Sequence, residues 1–239
     1  MTTPLYLSRV RLRSTRGEAL SAIAPILFPD DDAVRAGHAH RLVWLLFQDI
    51  PDSQRDFLWR DEGNGRFMIL SQRAPADPHG LFDLDTKPFV PALEVGDRLR
   101  FSLRANPVVA RKGALDSDEK AKRVRGKRVS IVMDALQDLA KGERAAARDR
   151  LTMEAGQRWL TEQGTRAGFV PSGVTVESCA QIDIADTSRK KRRDRAGISV
   201  MDLAGELEVT DPPTFILKLA QGFGSAKAFG NGLMLIRRA

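Results

Sequence analysis

Short runs of alternating apolar and polar residues recur along this chain, separated by runs at helical spacing. From Leu5 to Leu12 one parity reads Leu, Leu, Arg, Arg and the other Tyr, Ser, Val, Leu. This imperfect alternation predicts a first strand. A loop with Pro25, Pro29 and Asp30 to Asp32 follows, its aspartates placed to cap a helix. Apolar residues then return at helical spacing as Leu42, Val43, Trp44, Leu46 and Phe47, with His38 and His40 on the same helix. Phe57 to Arg60 and Phe67 to Leu70 predict a strand pair around the turn Glu62-Gly63-Asn64-Gly65. The first part therefore reads β-α-β-β. The turn-rich region from Ala74 to Pro91 gives no second helix.

After Val95-Gly96-Asp97 the pattern restarts. Leu99, Phe101, Leu103 and Ala105 alternate with Arg98, Arg100, Ser102 and Arg104, a strand with one basic face that ends at Asn106-Pro107. Helical stretches are predicted around Val132 to Leu139 and from Arg148 to Gln163, the latter stopping before Gly164. Strands follow from Val174 to Ile184 and from Ile198 to Val209. Thr210-Asp211-Pro212-Pro213 is a helix start with proline in the first turn, and Phe215 to Ala220 carries that helix. A last strand runs from Leu233 to Ile236. The second half thus reads β-α-β-β-α-β, and the first half is a truncated version of the same order. The expectation is an α+β protein of two tandem ferredoxin-like (RRM-like) domains, residues 1–95 and 96–239.

Composition sharpens the functional class. Among 239 residues the net charge is +7, and the excess is clustered. Lys120 to Arg128 holds six basic residues and no acidic one, and Arg189, Lys190, Lys191, Arg192 and Arg193 form an unbroken run between two strands. Such clustering favours a polyanionic partner. The single cysteine, Cys179, rules out an internal disulfide framework, and with three histidines it argues against structural zinc. No apolar run is long enough for a membrane span, and the start of the chain shows no signal peptide, so a cytoplasmic location is expected.

The stretch from Gly222 to Gly232 packs Gly222, Gly224, Gly230, Gly232 and Lys227 into eleven residues ahead of the last strand. It is no P-loop, because Ala228 follows the lysine, and no dinucleotide fingerprint, because it follows a helix. Two readings fit it: a glycine-rich loop that lays its backbone against phosphates, and a flexible turn into the last strand.

The ordered set of Leu5 to Val10, His40 to Phe47, Arg55 to Leu58, Leu103 to Val108 and the glycine loop resembles the CasE-type endoribonucleases of type I-E CRISPR systems, members of the RAMP group. The resemblance implies metal-independent cutting of the repeat hairpin in precursor CRISPR RNA, with no cofactor. The enzyme would stay on the mature crRNA and join the other subunits of Cascade. It also implies that His40, four residues before Trp44, is catalytic, with His38 in reserve. A tyrosine is often found three residues before the family's histidine, and here that position is Gly37.

In such cutting the substrate's own 2′-hydroxyl attacks the phosphorus, which calls for a base, an acid and positive charge on the phosphorane; histidine suits proton transfer near neutral pH. Lys227 and the loop glycines are expected to line RNA phosphates. Arg104 is expected either at RNA or in a surface salt bridge. The tract from Arg189 to Arg193 reads as an electrostatic arm on duplex phosphates or as a solvated loop. Gly37 keeps an alternative open, a non-catalytic RNA-binding subunit of the same fold that acts as an assembly scaffold.

Overall fold

Two four-stranded antiparallel sheets carry the fold. The computed structural model describes residues 4–13, 32–48, 55–111, 127–184 and 196–239. The first sheet contains β1 (Tyr6–Leu12), β2 (Phe57–Gly63), β3 (Arg66–Ser71) and β4 (Phe82–Pro88), in the order β2-β3-β1-β4. The helix α1 (Asp32–Trp44) runs between β1 and β2 and continues as a 3-10 turn, Leu45–Phe47. The second sheet contains β5 (Arg98–Ala105), β8 (Phe169–Ile184), β9 (Ala196–Val209) and β10 (Met234–Arg238), in the order β10-β5-β9-β8. Inserted after β5 are a small two-stranded sheet, β6 (Val108–Arg111) with β7 (Lys127–Ser130), and the helices α2 (Ile131–Leu136) and α3 (Arg144–Ala167); α4 (Pro212–Gln221) precedes β10. Counted within its own half, each sheet has the strand order 4-1-3-2 that closes a β-α-β-β-α-β unit.

No helix separates β3 from β4 in the first half. Residues 72–81 are irregular, and the Asp77 carboxylate accepts hydrogen bonds from the N–H groups of Leu81 (3.1 Å) and Phe82 (2.8 Å), turning the chain into β4. The fourth strand was absent from the sequence expectation. β4 is an edge strand whose only fully buried side chain is Phe82, so it carries almost no apolar signal. The hairpin between β2 and β3 turns on Asn64 (φ 53°) and Gly65 (φ 67°), both in the left-handed region that a tight two-residue turn requires.

One face of the first sheet packs Val10, Trp59, Phe67 and Ile69 against Val43, Leu46 and Phe47 of the helical layer. The second sheet buries Leu99, Phe101, Leu103 and Leu203 against Trp159 and Leu160 of α3 and Phe215 and Leu219 of α4. A third cluster joins the halves: Leu58 and Leu70 of the first sheet meet Leu233, with Leu5, Leu7, Met68 and Leu235 around them. It also explains the uneven alternation of β1. Leu5 and Leu7 face the second half at one end, whereas Arg9 and Arg11 on the same parity are exposed at the other.

Helix boundaries follow backbone chemistry. At the start of α4 the Asp211 carboxylate accepts from the N–H of Thr214 at 3.2 Å, and Pro212 opens the helix as the sequence predicts. α3 runs past Gly164, contrary to the expected stop, and ends at Gly168, whose φ of 73° is left-handed. Gly164 serves packing instead. A Cβ there would lie 2.4 Å from the carbonyl oxygen of Phe169, so the glycine lets β8 return tightly over the helix end.

Among the described residues, nothing beyond the chain neighbours and the nearby backbone of its own helix lies within 4 Å of the place a Cβ on Gly37, inside α1, would take. The two positions should therefore respond oppositely in urea denaturation. Gly164→Ala should destabilise by about 1–3 kcal/mol through overpacking, and Gly37→Ala should stabilise by up to about 1 kcal/mol through helix propensity.

Candidate functional site

His40 lies on α1 near its C-terminal end, half-buried, on the side facing the glycine loop. Its Nδ1 is 2.7 Å from the carbonyl oxygen of Ala228. A carbonyl only accepts, so Nδ1 carries a proton, and in the neutral ring Nε2 is then the nitrogen with the free lone pair. The ring meets Trp44 edge-on at 6.1 Å and lies 6.0 Å from the ring of Phe229. The histidine of the first half is thus held by the loop of the second. His38, two positions back, belongs to a different face of the helix. Gly37, three positions back, shares the His40 face and leaves it open.

The loop runs from the end of α4 to β10 and contains a 3-10 turn, Lys227–Phe229, between two left-handed residues, Ala226 (φ 52°) and Gly230 (φ 73°). Its glycines are spent on close packing. A Cβ on Gly222 would stand 2.8 Å from Leu58, on Gly224 2.8 Å from the carbonyl oxygen of Asn106, on Gly230 3.1 Å from the ring of Trp59, and on Gly232 2.7 Å from the carbonyl oxygen of Phe223. The N–H of Gly222 donates to Lys218 and that of Gly232 to Arg104. Glycine here seats the loop on the protein, between the two sheets.

Around Lys227 gather two cations that the sequence reading did not assign, Lys218 of α4 and Arg55 at the entrance to β2. Burial pushes the Lys227 ammonium below the usual lysine range, and Lys218 and Arg55 push it further. Lys218 is lowered by burial and then by Arg166, and Arg55 by burial. The Lys218 ammonium also stands 5.3 Å over the ring of Phe223. Among the described residues no carboxylate contributes to any of the three shifts. Like charges gathered at a partly dry place are unfavourable alone and favourable around a phosphate. Arg55 was visible as part of a motif, but its partners come from the other end of the chain.

Arg104 takes the salt-bridge option. Its Nε and Nη2 donate to the two oxygens of Asp202, each at 2.9 Å, and Ser178 donates to the same carboxylate at 2.7 Å. Burial pushes the Asp202 carboxyl up, but these bonds outweigh it and hold it below the usual range. Arg98 and Arg100 likewise stand opposite Glu208 and Glu206 in the β5–β9 register. The face that looks basic along β5 is neutralised by β9. Arg189, Lys190, Lys191, Arg192 and Arg193 lie outside the described residues, as do Lys120 to Gly126 of the other basic tract. The flanking positions Ile184 and Ala196 are paired, and β8 packs against α1. Among the described residues no group of three or more His, Cys, Asp or Glu side chains forms a metal site, and no helix is long and apolar enough to cross a membrane.

A family model described as CRISPR associated protein matches residues 5–238. The chain is 35% identical over 156 residues to the CRISPR-associated endoribonuclease Cse3 of Thermus thermophilus, a match covering 63% of this chain and 60% of that relative. It is 29% identical over 201 residues to the CRISPR system Cascade subunit CasE of Escherichia coli, covering 82% of this chain and 88% of the relative. Its fold is similar to that of CRISPR endoribonuclease Cse3 bound to 19 nt RNA, with TM-score 0.64 and 22% identity over 99% of this chain and all of the other. It is also similar to Cas6e from Escherichia coli, with TM-score 0.61 and 22% identity over 98% of this chain and 100% of the other.

The crowded cations make a prediction for the protein alone. Lys227→Met should raise its stability at pH 7 by about 0.5 kcal/mol, the scale of a partly exposed charge interaction. The folded-state pKa of Lys227 lies below its unfolded value, so the penalty is full at neutral pH. It disappears as pH rises toward about 10.4, where the unfolded lysine also loses its proton. Urea melts of both proteins at pH 7 and at high pH should show the gap narrowing.

Proposed function

The chain belongs to the family of CRISPR associated proteins, and we propose that it is the endoribonuclease that cuts the repeat hairpin of precursor CRISPR RNA and stays on the mature crRNA as a subunit of Cascade. The observation that carries this reading is His40, held by its Nδ1–H on the Ala228 carbonyl beside Lys227. The names of the Cse3 and CasE relatives support the same activity. The work of such a subunit is in the cytoplasm.

In the reaction, neutral His40 accepts the proton of the 2′-hydroxyl at Nε2 as the O2′–P bond forms. The P–O5′ bond breaks, the departing O5′ takes a proton from water, and His40 afterwards returns its proton to solvent. The products are a 2′,3′-cyclic phosphate and a 5′-hydroxyl, and no metal is required. The negative charge on the phosphorane falls to Lys227, with Arg55 and Lys218 behind it; groups already in place cost no reorganisation as the charge develops. Gly37 supplies no hydroxyl, so positioning and positive charge carry more of the rate. Lys227 also anchors the RNA backbone, with the tract from Arg189 to Arg193 as an electrostatic arm on the hairpin.

Gly37 favours a second reading, an RNA-binding subunit of the same fold that does not cut. Incubation of the cognate repeat RNA in excess EDTA separates the two. Wild type should leave a cyclic phosphate, and His40→Ala should bind the hairpin but cut about 10²–10⁴-fold more slowly, the usual contribution of a general base. His38→Ala should still cut. Binding by wild type without cutting would establish the second reading.

A further inference from the structure

Asn231 is fully buried at the base of the loop that holds His40. Its amide Nδ2 donates to the carbonyl oxygens of Ala226 (3.3 Å), just before the Lys227–Phe229 turn, and of Phe229 (3.1 Å), its last residue. That assignment of the amide is the only one that fits, because the reverse would turn Oδ1 toward two other acceptors. Between the two clamped carbonyls lies Ala228, whose own carbonyl receives the His40 proton.

The turn needs a clamp. Ala226 sits at φ 52°, a left-handed conformation that is unfavourable for a residue with a Cβ. The clamp is itself anchored to the second sheet: the next residue, Gly232, donates to Arg104 of β5 and accepts from the N–H of Phe223. Asn231 is also an expensive choice for a buried position, since its Oδ1 has no hydrogen-bond partner among the described residues, and a buried acceptor left unpaired is costly. The part of the side chain that the fold uses is the amide donor.

We propose that Asn231 is a positioning residue: by pinning the turn it aims the Ala228 carbonyl at His40, fixes the ring as the Nδ1–H tautomer and presents Nε2 to the RNA. The chain of supports runs from β5 through Gly232 and Asn231 to the turn, and from the turn to the histidine. This rests on His40 being the base, yet part of its test does not require activity.

The test has two arms. In wild type, long-range proton–nitrogen NMR of the neutral histidines, with His40 assigned by loss of its signals in His40→Gln, should show Nδ1–H for His40. In Asn231→Ala and the isosteric Asn231→Asp, that ring should become a mixture of tautomers. At saturating repeat hairpin, where any weaker binding through Lys227 drops out, the single-turnover cleavage rate should then fall by about 100-fold, the effect of a small misplacement of a reacting group. An Nε2–H ring in wild type overturns the proposal even if neither variant folds. So does wild-type cleavage with an unmoved tautomer in a folded variant. If wild type does not cut at all, the nuclease reading fails, and the tautomer in Asn231→Asp still decides whether Asn231 holds the ring.

Discussion

One hydrogen bond spans the molecule: His40 Nδ1–H to the carbonyl of Ala228, between residues 188 positions apart. Neither half owns the site. α1 supplies the imidazole, and the loop before β10 supplies the acceptor that orients it. The bond holds because the surfaces behind it are already fixed. Leu58, Leu70 and Leu233 join the sheets, Gly222 lets the loop approach Leu58, and Gly230 lets it lie on Trp59. Burial of those apolar side chains supplies the association, and the polar contact gives it direction.

Charge is distributed by the same logic. Along β5 the arginines meet acids across the ladder, so a face that reads as strongly basic is electrostatically quiet. At the loop the arrangement is the reverse. Burial together with Lys218 and Arg55, which come from separate segments, holds the Lys227 ammonium below the usual lysine range. The sheet offers fewer free positive charges than the sequence suggests.

Much of the fold is legible in the sequence because local rules decide it. Alternation marks β1 and β5, apolar runs flanking the Gly63-Asn64-Gly65 turn mark β2 and β3, and the Asp211-Pro212 start marks α4. What escapes is set by distant partners. β4 is an edge strand with a weak apolar pattern, and Gly164 is a packing glycine, which a sequence cannot distinguish from a stop. The site divides in the same way. His40 and Lys227 stand out by residue type and by family resemblance. The salt bridge of Arg104 depends on Asp202, and the cation cluster depends on α4 folding back onto β2. The loop glycines show that a glycine-rich stretch has two physical uses, exposing the backbone to a ligand and burying it against the protein, and only the contacts tell them apart.

If RNA is cut where the two halves meet, the scissile phosphate must sit between His40 and the cations of the loop. A structure of the full-length protein with the cognate repeat RNA, carrying a 2′-deoxy substitution at the nucleotide that would attack, tests this most directly. The expected complex has the scissile phosphate beside Lys227, with His40 Nε2 directed at the 2′ position and Nδ1 still on Ala228. An RNA backbone that passes elsewhere, or a His40 turned away from Ala228 in the complex, would contradict it.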